Sequence, residues 1–153
     1  MARETTPLNG HVHVRAWEKQ PDGSEKLIKD DTIKNLVVTV GKDAILKYIA
    51  NISGGGYADD IGVGDSTTAA AVGQTDLQGT AVWKTIVTAD RVFITPTLYI
   101  STEFGYSEAN FTWNEMGIRD NQGTPILWAR QIDASPLVKT SSKRAIVEWQ
   151  LSL

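Results

Sequence analysis

Two segments of the chain alternate strictly between apolar and polar residues. In the first, Val12, Val14 and Ala16 alternate with histidine, arginine and tryptophan. In the second, residues 145–153, alanine, valine, tryptophan and leucine occupy the odd-numbered positions. Successive side chains of a β-strand point to opposite faces of a sheet, so this period of two predicts two strands that each have one buried face.

Further segments have the composition of strands and are bounded by polar turns. They span residues 26–29, 32–40, 60–63, 83–89, 92–101, 109–119 and 125–132. In the penultimate segment, Phe111 and Trp113 share one parity, whereas Met116 and Ile118 share the other. Such a change of phase indicates a β-bulge near Asn114, where one strand carries an extra residue.

Between residues 41 and 52 the apolar spacing becomes that of a helix. The apolar residues follow the spacing i, i+1, i+4, i+5, i+8 and are Ala44, Ile45, Tyr48, Ile49 and Ile52. This spacing is typical of the apolar face of an amphipathic helix, the face that packs on a core. The glycines at 54–56 end the helix, which we predict to be about three turns long.

Many strands and a single helix predict a mainly β fold, an antiparallel β-sandwich or jelly roll with one short α-helix. We predict one sandwich domain over residues 10–153, preceded by an N-terminal arm of residues 1–9. The longest irregular stretch, residues 65–80, is rich in serine, threonine, alanine and glycine.

Composition narrows the classes of function. The chain has 153 residues, a net charge of −3 and no cysteine. The lack of cysteine excludes disulfides, thiolate metal sites and cysteine nucleophiles. The charge balance lacks the basic surplus of a nucleic-acid binder, and no apolar run approaches the ~18 residues that span a bilayer. We therefore expect no nucleic-acid partner and no membrane partner.

The histidine pair, His11 and His13, lies on one face of the first predicted strand. Two imidazoles together with a carboxylate such as Glu18 have the chemistry of a zinc or non-haem metal site. A solvated outer face is the competing interpretation, because Arg15 and Trp17 continue the same row and no motif supplies further ligands. We expect no metal and no cofactor.

Other patterns that suggest catalysis lack their essential partners. Asp59 and Asp60 match the paired aspartates of reverse transcriptases, but that chemistry needs another aspartate and a longer fold. Gly62 and Gly64 do not have the spacing of a phosphate-binding loop, and we predict a loop that crosses the end of the sandwich closely. Two further pairs of carboxylates lie in segments predicted as turns, Asp30/Asp31 and Glu103/Glu108. We expect no enzymatic activity.

A series of short motifs runs through residues 32–153 in a fixed order. In sequence they are Asn35-Leu36 with Gly41, the loop 61–68, Thr75-Asp76-Leu77, the segment 115–120 and Lys139-Thr140. This order resembles that of a class of small virion proteins of tailed bacteriophages, labelled as tail-fibre or minor structural proteins. Asp65 departs from the pattern, which has a small residue or threonine there.

The resemblance implies a non-enzymatic structural protein that is assembled into the virion in the bacterial host cytoplasm. We favour a capsid decoration, or cement, protein that binds the major capsid protein, because the chain lacks the coiled-coil or collagen-like shaft of a long fibre. The alternative is a tail, baseplate or tail-fibre attachment protein.

The partners follow from the same resemblance. We expect a homo-oligomer, a trimer or a dimer, with Arg15 and Trp17 as candidate partner contacts. An extended arm, residues 1–9, can add a strand to the sheet edge of a neighbour. Trp17, on the outer side of its strand, also permits a third interpretation, a carbohydrate-binding module, since jelly rolls host sugars on exposed aromatic side chains.

Overall fold

Two antiparallel sheets and one helix make up residues 9–152, the part of the chain that the structure, a computed structural model, describes. The strands are β1 (Asn9–Lys19), β2 (Glu25–Lys34), β3 (Leu36–Val37), β4 (Asp60–Gly64), β5 (Ala81–Thr85), β6 (Arg91–Ile94), β7 (Thr97–Phe104), β8 (Thr112–Asp120), β9 (Ile126–Val138) and β10 (Lys143–Ser152). The helix α1 spans Thr39–Ile49, and a 3-10 turn spans Thr88–Asp90. This arrangement confirms the mainly β sandwich with one short α-helix.

The predicted N-terminal arm falls almost wholly outside the described residues. Asn9 is the first residue of β1, whereas residues 1–8 and Leu153 are not described. The arm and the bounds of the domain therefore stay predictions.

Five strands form each sheet. Sheet A has the strand order β2-β1-β10-β7-β6, and sheet B has the order β3-β9-β8-β4-β5. Strand β1 buries Val12, Val14 and Ala16 completely between the sheets, as its alternating pattern predicts. Across the layers, the rings of Phe104 in β7 and Trp113 in β8 meet edge to face with their centroids 5.1 Å apart. One continuous apolar core therefore joins the two sheets.

The register of β8 against β9 shifts between Trp113 and Glu115, which confirms the predicted bulge near Asn114. The bulge lets both Trp113 and Met116 join the core, although their positions have opposite parity. Glu115 consequently points to the outer side of sheet B, where the loop 65–80 covers it.

Strand β2 is continuous, and two predictions for this region are wrong. Asp30 and Asp31, predicted to lie in a turn, are inside β2 at the edge of sheet A. Charged residues are common on edge strands, where they prevent pairing with other chains, and here they resemble the composition of a turn.

Glu103, also predicted in a turn, lies in β7. The predicted strand 32–40 ends at Lys34, and the chain then passes through β3 into α1.

The predicted strand 92–101 is a hairpin instead. Strands β6 and β7 pair antiparallel, and the chain reverses at Thr95 and Pro96. Proline has no N–H to donate to a ladder and marks the turn. The predicted strand 60–63 is confirmed and extends to Gly64, so Gly62 and Gly64, also predicted to lie in a loop, are inside β4, which is buried along its whole length.

Helix α1 buries only the first part of its apolar stripe. Ala44 is 2% exposed, whereas Tyr48 and Ile49 are 55% and 72% exposed. Ile52 lies beyond the helix and is also exposed. The helix packs on β9, where the absence of a side chain at Gly41 lets the two backbones approach closely. The predicted helix is confirmed, and its apolar face is buried only in its first half.

Candidate partner-binding face

The outer face of sheet A carries the polar row that the sequence predicts on β1. His11, His13, Arg15 and Trp17 share this face, and all four are half-buried. Strands β2 and β10 flank the row, so that cross-strand partners such as Glu148, opposite His13, lie on the same face. Arg15 and Trp17, the two predicted partner contacts, are brought together here, with the guanidinium 5.9 Å from the centre of the indole ring.

Trp17 is held mainly by an arginine of the neighbouring strand. The guanidinium carbon of Arg144 lies 4.2 Å from the ring centroid. A guanidinium over an indole face stabilises the pair by about 0.5–1 kcal/mol at an exposed site. One face of the Trp17 ring is therefore occupied from within the chain.

Arg144 is fixed in turn by Glu25 on β2. Its Nε and Nη2 atoms donate to the two carboxylate oxygens at 2.7 Å each, which makes a bidentate pair. The hydroxyl of Tyr106 donates to the same carboxylate. The hydrogen bonds from Arg144 and then from Tyr106 lower the pKa of Glu25 from 4.5 to about 2. The hydrogen bond to Glu25 also raises the pKa of Arg144, so both groups stay charged at neutral pH.

A shallow depression of about 430 Å³ lies beside this row, between the 3-10 turn and strands β1, β6, β7 and β10. His13 Nε2 lies 2.5 Å from Asp30 Oδ1, and His13 Nδ1 lies 3.9 Å from Glu148. Arg15 approaches Glu148 at 4.0 Å, and its Nε is buried without a hydrogen-bond partner among the described residues. The lining of the depression includes charged and polar side chains, with Tyr99 on the same wall, and this suits a polar partner group.

The two histidines, His11 and His13, are not gathered with other ligating side chains into one site on this face. In residues 9–152, no three His, Asp or Glu side chains come together as a metal ion requires. His11 has Lys34 and Gln150 as its cross-strand neighbours rather than a carboxylate. Glu18, considered from the sequence as a further ligand, is opposite Lys143 towards the far end of β1.

The paired aspartates Asp59 and Asp60 are engaged within the fold. Asp60 forms a salt bridge with Arg119 at 2.9 Å and accepts a hydrogen bond from Thr85. Asp59 accepts the backbone N–H of Asn121 at 2.8 Å. Each carboxylate thereby joins the β4 region to a neighbouring strand or turn.

Glu115 and Arg130 form a completely buried ion pair, of which sequence reasoning identified only the glutamate, as part of a motif. Both side chains are 0% exposed, and Arg130 Nε donates to Glu115 at 2.7 Å. The same carboxylate accepts the backbone N–H groups of Gln78 and Gly79 in the loop 65–80. The two terminal guanidinium nitrogens donate to further groups of that loop. The pair thus anchors the loop to sheet B, and an arginine within an apolar strand was the signal that could have found it.

Lys139 is a second buried charge from the motifs. It is 2% exposed, and its Nζ donates to the Gly105 carbonyl at 2.7 Å, to Asn110 Oδ1 at 2.9 Å and to the Glu108 carbonyl at 3.0 Å. Burial lowers the pKa of Lys139. The ammonium group ties the connection between β7 and β8 to the end of β9.

Comparison of the chain with protein-family models, with curated proteins and with solved structures finds no match. Within the described range, no helix combines the length and the apolar character needed to cross a membrane. The candidate face therefore rests on the geometry described above.

Proposed function

We propose that this chain is a non-enzymatic structural protein of a tailed-bacteriophage virion, specifically a decoration protein that binds the shell of the major capsid protein. The observation that supports this is the internal role of the motif residues. Glu115 anchors the long loop, Lys139 anchors the β7–β8 connection, and Gly62 lies against the ring of Trp83. Motifs of this kind specify a rigid building block rather than a reactive site.

Rigidity favours assembly because a preorganised surface loses little conformational entropy when it binds. On the outer face of sheet A, Trp17 is held by Arg144, which is itself held by Glu25. Tryptophan and arginine are also the residue types that most often dominate the binding energy of protein interfaces. We assign the shell contact to this face, with Arg15 and Trp17 in it.

The virion assignment is tested on purified particles of the phage that encodes the chain. Mass spectrometry asks whether the chain is a component, and immunogold electron microscopy with antibody to the folded protein shows its location. Gold over the head is the expected result. Gold confined to the tail would replace the decoration role by the tail or baseplate role. Absence of the chain from particles would refute the virion role altogether.

The contact face is tested by adding the protein back to particles that lack it. Trp17→Ala removes the ring and leaves the Arg144–Glu25 pair in place, so the fold should survive. If Trp17 is a dominant contact, the variant binds at least about tenfold more weakly. Val138→Ala, which truncates a 55% exposed side chain on β9, is the control and should bind as the unaltered protein does. Equal binding by both variants would remove Trp17 from the interface.

The carbohydrate-binding interpretation makes an opposite prediction. A sugar that stacks on Trp17 would find one of the two ring faces already covered by Arg144, whose guanidinium carbon lies 4.2 Å from the ring centroid. We expect no signal on a glycan array. Glycan binding that Trp17→Ala abolishes would support the carbohydrate-binding role instead.

A further inference from the structure

An apolar groove of about 350 Å³ lies at the edge of sheet A formed by β6, between this strand and helix α1. Tyr48 and Ile49 of the helix and Phe93 of β6 line it and are 55%, 72% and 66% exposed. Val92 and Ile94, the neighbours of Phe93 in β6, are 46% and 62% exposed. This is the same helix face that the sequence pattern marks for burial, and no part of residues 9–152 covers it.

The two edges of sheet A differ in how they are protected. The β2 edge carries lysines and aspartates along its length, including Lys26, Asp30 and Lys34, as edge strands that avoid pairing do. The β6 edge reads Arg-Val-Phe-Ile, and its one charged side chain, Arg91, donates to backbone carbonyls within the chain. A second chain could therefore pair with β6, but not with β2, without burying charges.

Strand β6 is complementary to a second copy of itself. Val92 and Ile94 border the depression on the outer face, whereas Phe93 faces the groove on the other side. An antiparallel pair continues a sheet only if opposing residues face the same side. A register centred on Phe93 meets this condition, because Phe93 then lies opposite its own counterpart and Val92 lies opposite Ile94.

We propose that two copies of this chain associate through β6 in that register, which joins the two A sheets across a twofold axis and covers both grooves. The inference does not depend on a virion role. The contributing side chains are each 45–72% exposed and are Tyr48, Ile49, Tyr57, Val92, Phe93 and Ile94. At roughly 200 Å² per side chain, they offer about 700 Å² per copy, close to the ~800 Å² per partner of a stable interface.

Sedimentation equilibrium tests the association. The unaltered chain of 16.7 kDa should sediment as a dimer at micromolar concentration. Phe93→Glu puts two like charges opposite each other on the axis and should raise the dimer dissociation constant at least about 100-fold. Val138→Glu alters a 55% exposed residue on β9 and should leave the dimer intact. A monomeric unaltered chain, or equal effects of the two variants, would overturn the proposal.

Disulfide trapping tests the register, because the chain has no cysteine of its own. Directly opposed residues of an antiparallel pair have Cα atoms ~4.5–5.5 Å apart, within the ~4.4–6.8 Å span of a disulfide. Phe93→Cys should therefore form a covalent dimer on mild oxidation. In Ile94→Cys the two copies of the residue are ~8 Å apart or more, so this variant should stay uncrosslinked. Crosslinking at 94 in preference to 93 would refute the register.

Discussion

Replacing Glu115 by glutamine removes a charge from the interior while keeping the shape of the side chain. The carboxylate of Glu115 is 0% exposed and binds Arg130 Nε at 2.7 Å. It also binds the N–H groups of Gln78 and Gly79 at 3.0 and 2.8 Å. Glutamine offers one acceptor oxygen and turns an amide group toward these donors. Arg130 would then be a buried charge without a countercharge.

The expected loss of stability is large for a change of one atom type. Breaking a buried ion pair by removal of one partner costs about 3–5 kcal/mol. For a domain of this size each kcal/mol lowers the melting temperature by ~2–4 °C, so Glu115→Gln should lower it by roughly 6–20 °C. The double variant Glu115→Gln/Arg130→Met removes the stranded charge and should recover part of the loss.

Urea unfolding measures the change in the free energy of unfolding, and hydrogen exchange reports on the loop 65–80. The Gln78 and Gly79 amides should lose protection more than amides of β1 do. Glu108→Gln is the matched control, since Glu108 pairs with Lys84 at 2.6 Å but both are more than a third exposed. Such a pair contributes at most about 1 kcal/mol. Equal losses for Glu115→Gln and Glu108→Gln would refute the argument from burial.

Two further predictions concern the binding face and the core of sheet B. A carboxyl NMR titration should give Glu25 a pKa of about 2, and Arg144→Gln should raise this pKa part of the way toward its ordinary value of 4.5, because the hydrogen bond from Tyr106 remains. Because the folded pKa is the lower one, the pair stabilises the fold above about pH 4 and loses that contribution as the pH falls toward 2. Gly62→Ala puts a Cβ 2.5 Å from Trp83 Cε3 and should destabilise by about 1–3 kcal/mol in urea unfolding, whereas Gly73→Ala, with open space, should change little.

The alternating strands could be predicted because one local pattern decides both their conformation and their buried face. Val147 and Trp149 of β10 are completely buried, as their parity requires. The continuity of strand β2 could not be predicted in this way, because β2 is an edge strand and carries charged residues in place of the apolar pattern. The helix pattern correctly identified an apolar face, but a pattern cannot say what covers that face, and Tyr48 and Ile49 are exposed.

Contacts within one strand could be predicted from the sequence, whereas contacts between strands could not. Arg15 and Trp17 lie on one strand, so their common face follows from spacing alone. Arg144, which stacks on Trp17, is distant from it in the sequence. The two residues meet only because β1 pairs with β10. The partner of Glu115 likewise depends on the bulge and on the register of β8 against β9. Contacts that rest on register are beyond single-sequence reasoning.

The pairing of β1 with β10 also constrains when the molecule can fold. Sheet A joins the first described strand to the last, with Asn9 opposite Ser152. On a ribosome, β1 therefore lacks one of its two neighbouring strands until residues 143–152 have left the exit tunnel. Pairings so distant in sequence have slow kinetics, on the scale of ~ms to s for β-rich domains. Closure of sheet A therefore waits for β10, and a nascent chain that stops before β10 leaves one edge of β1 unpaired.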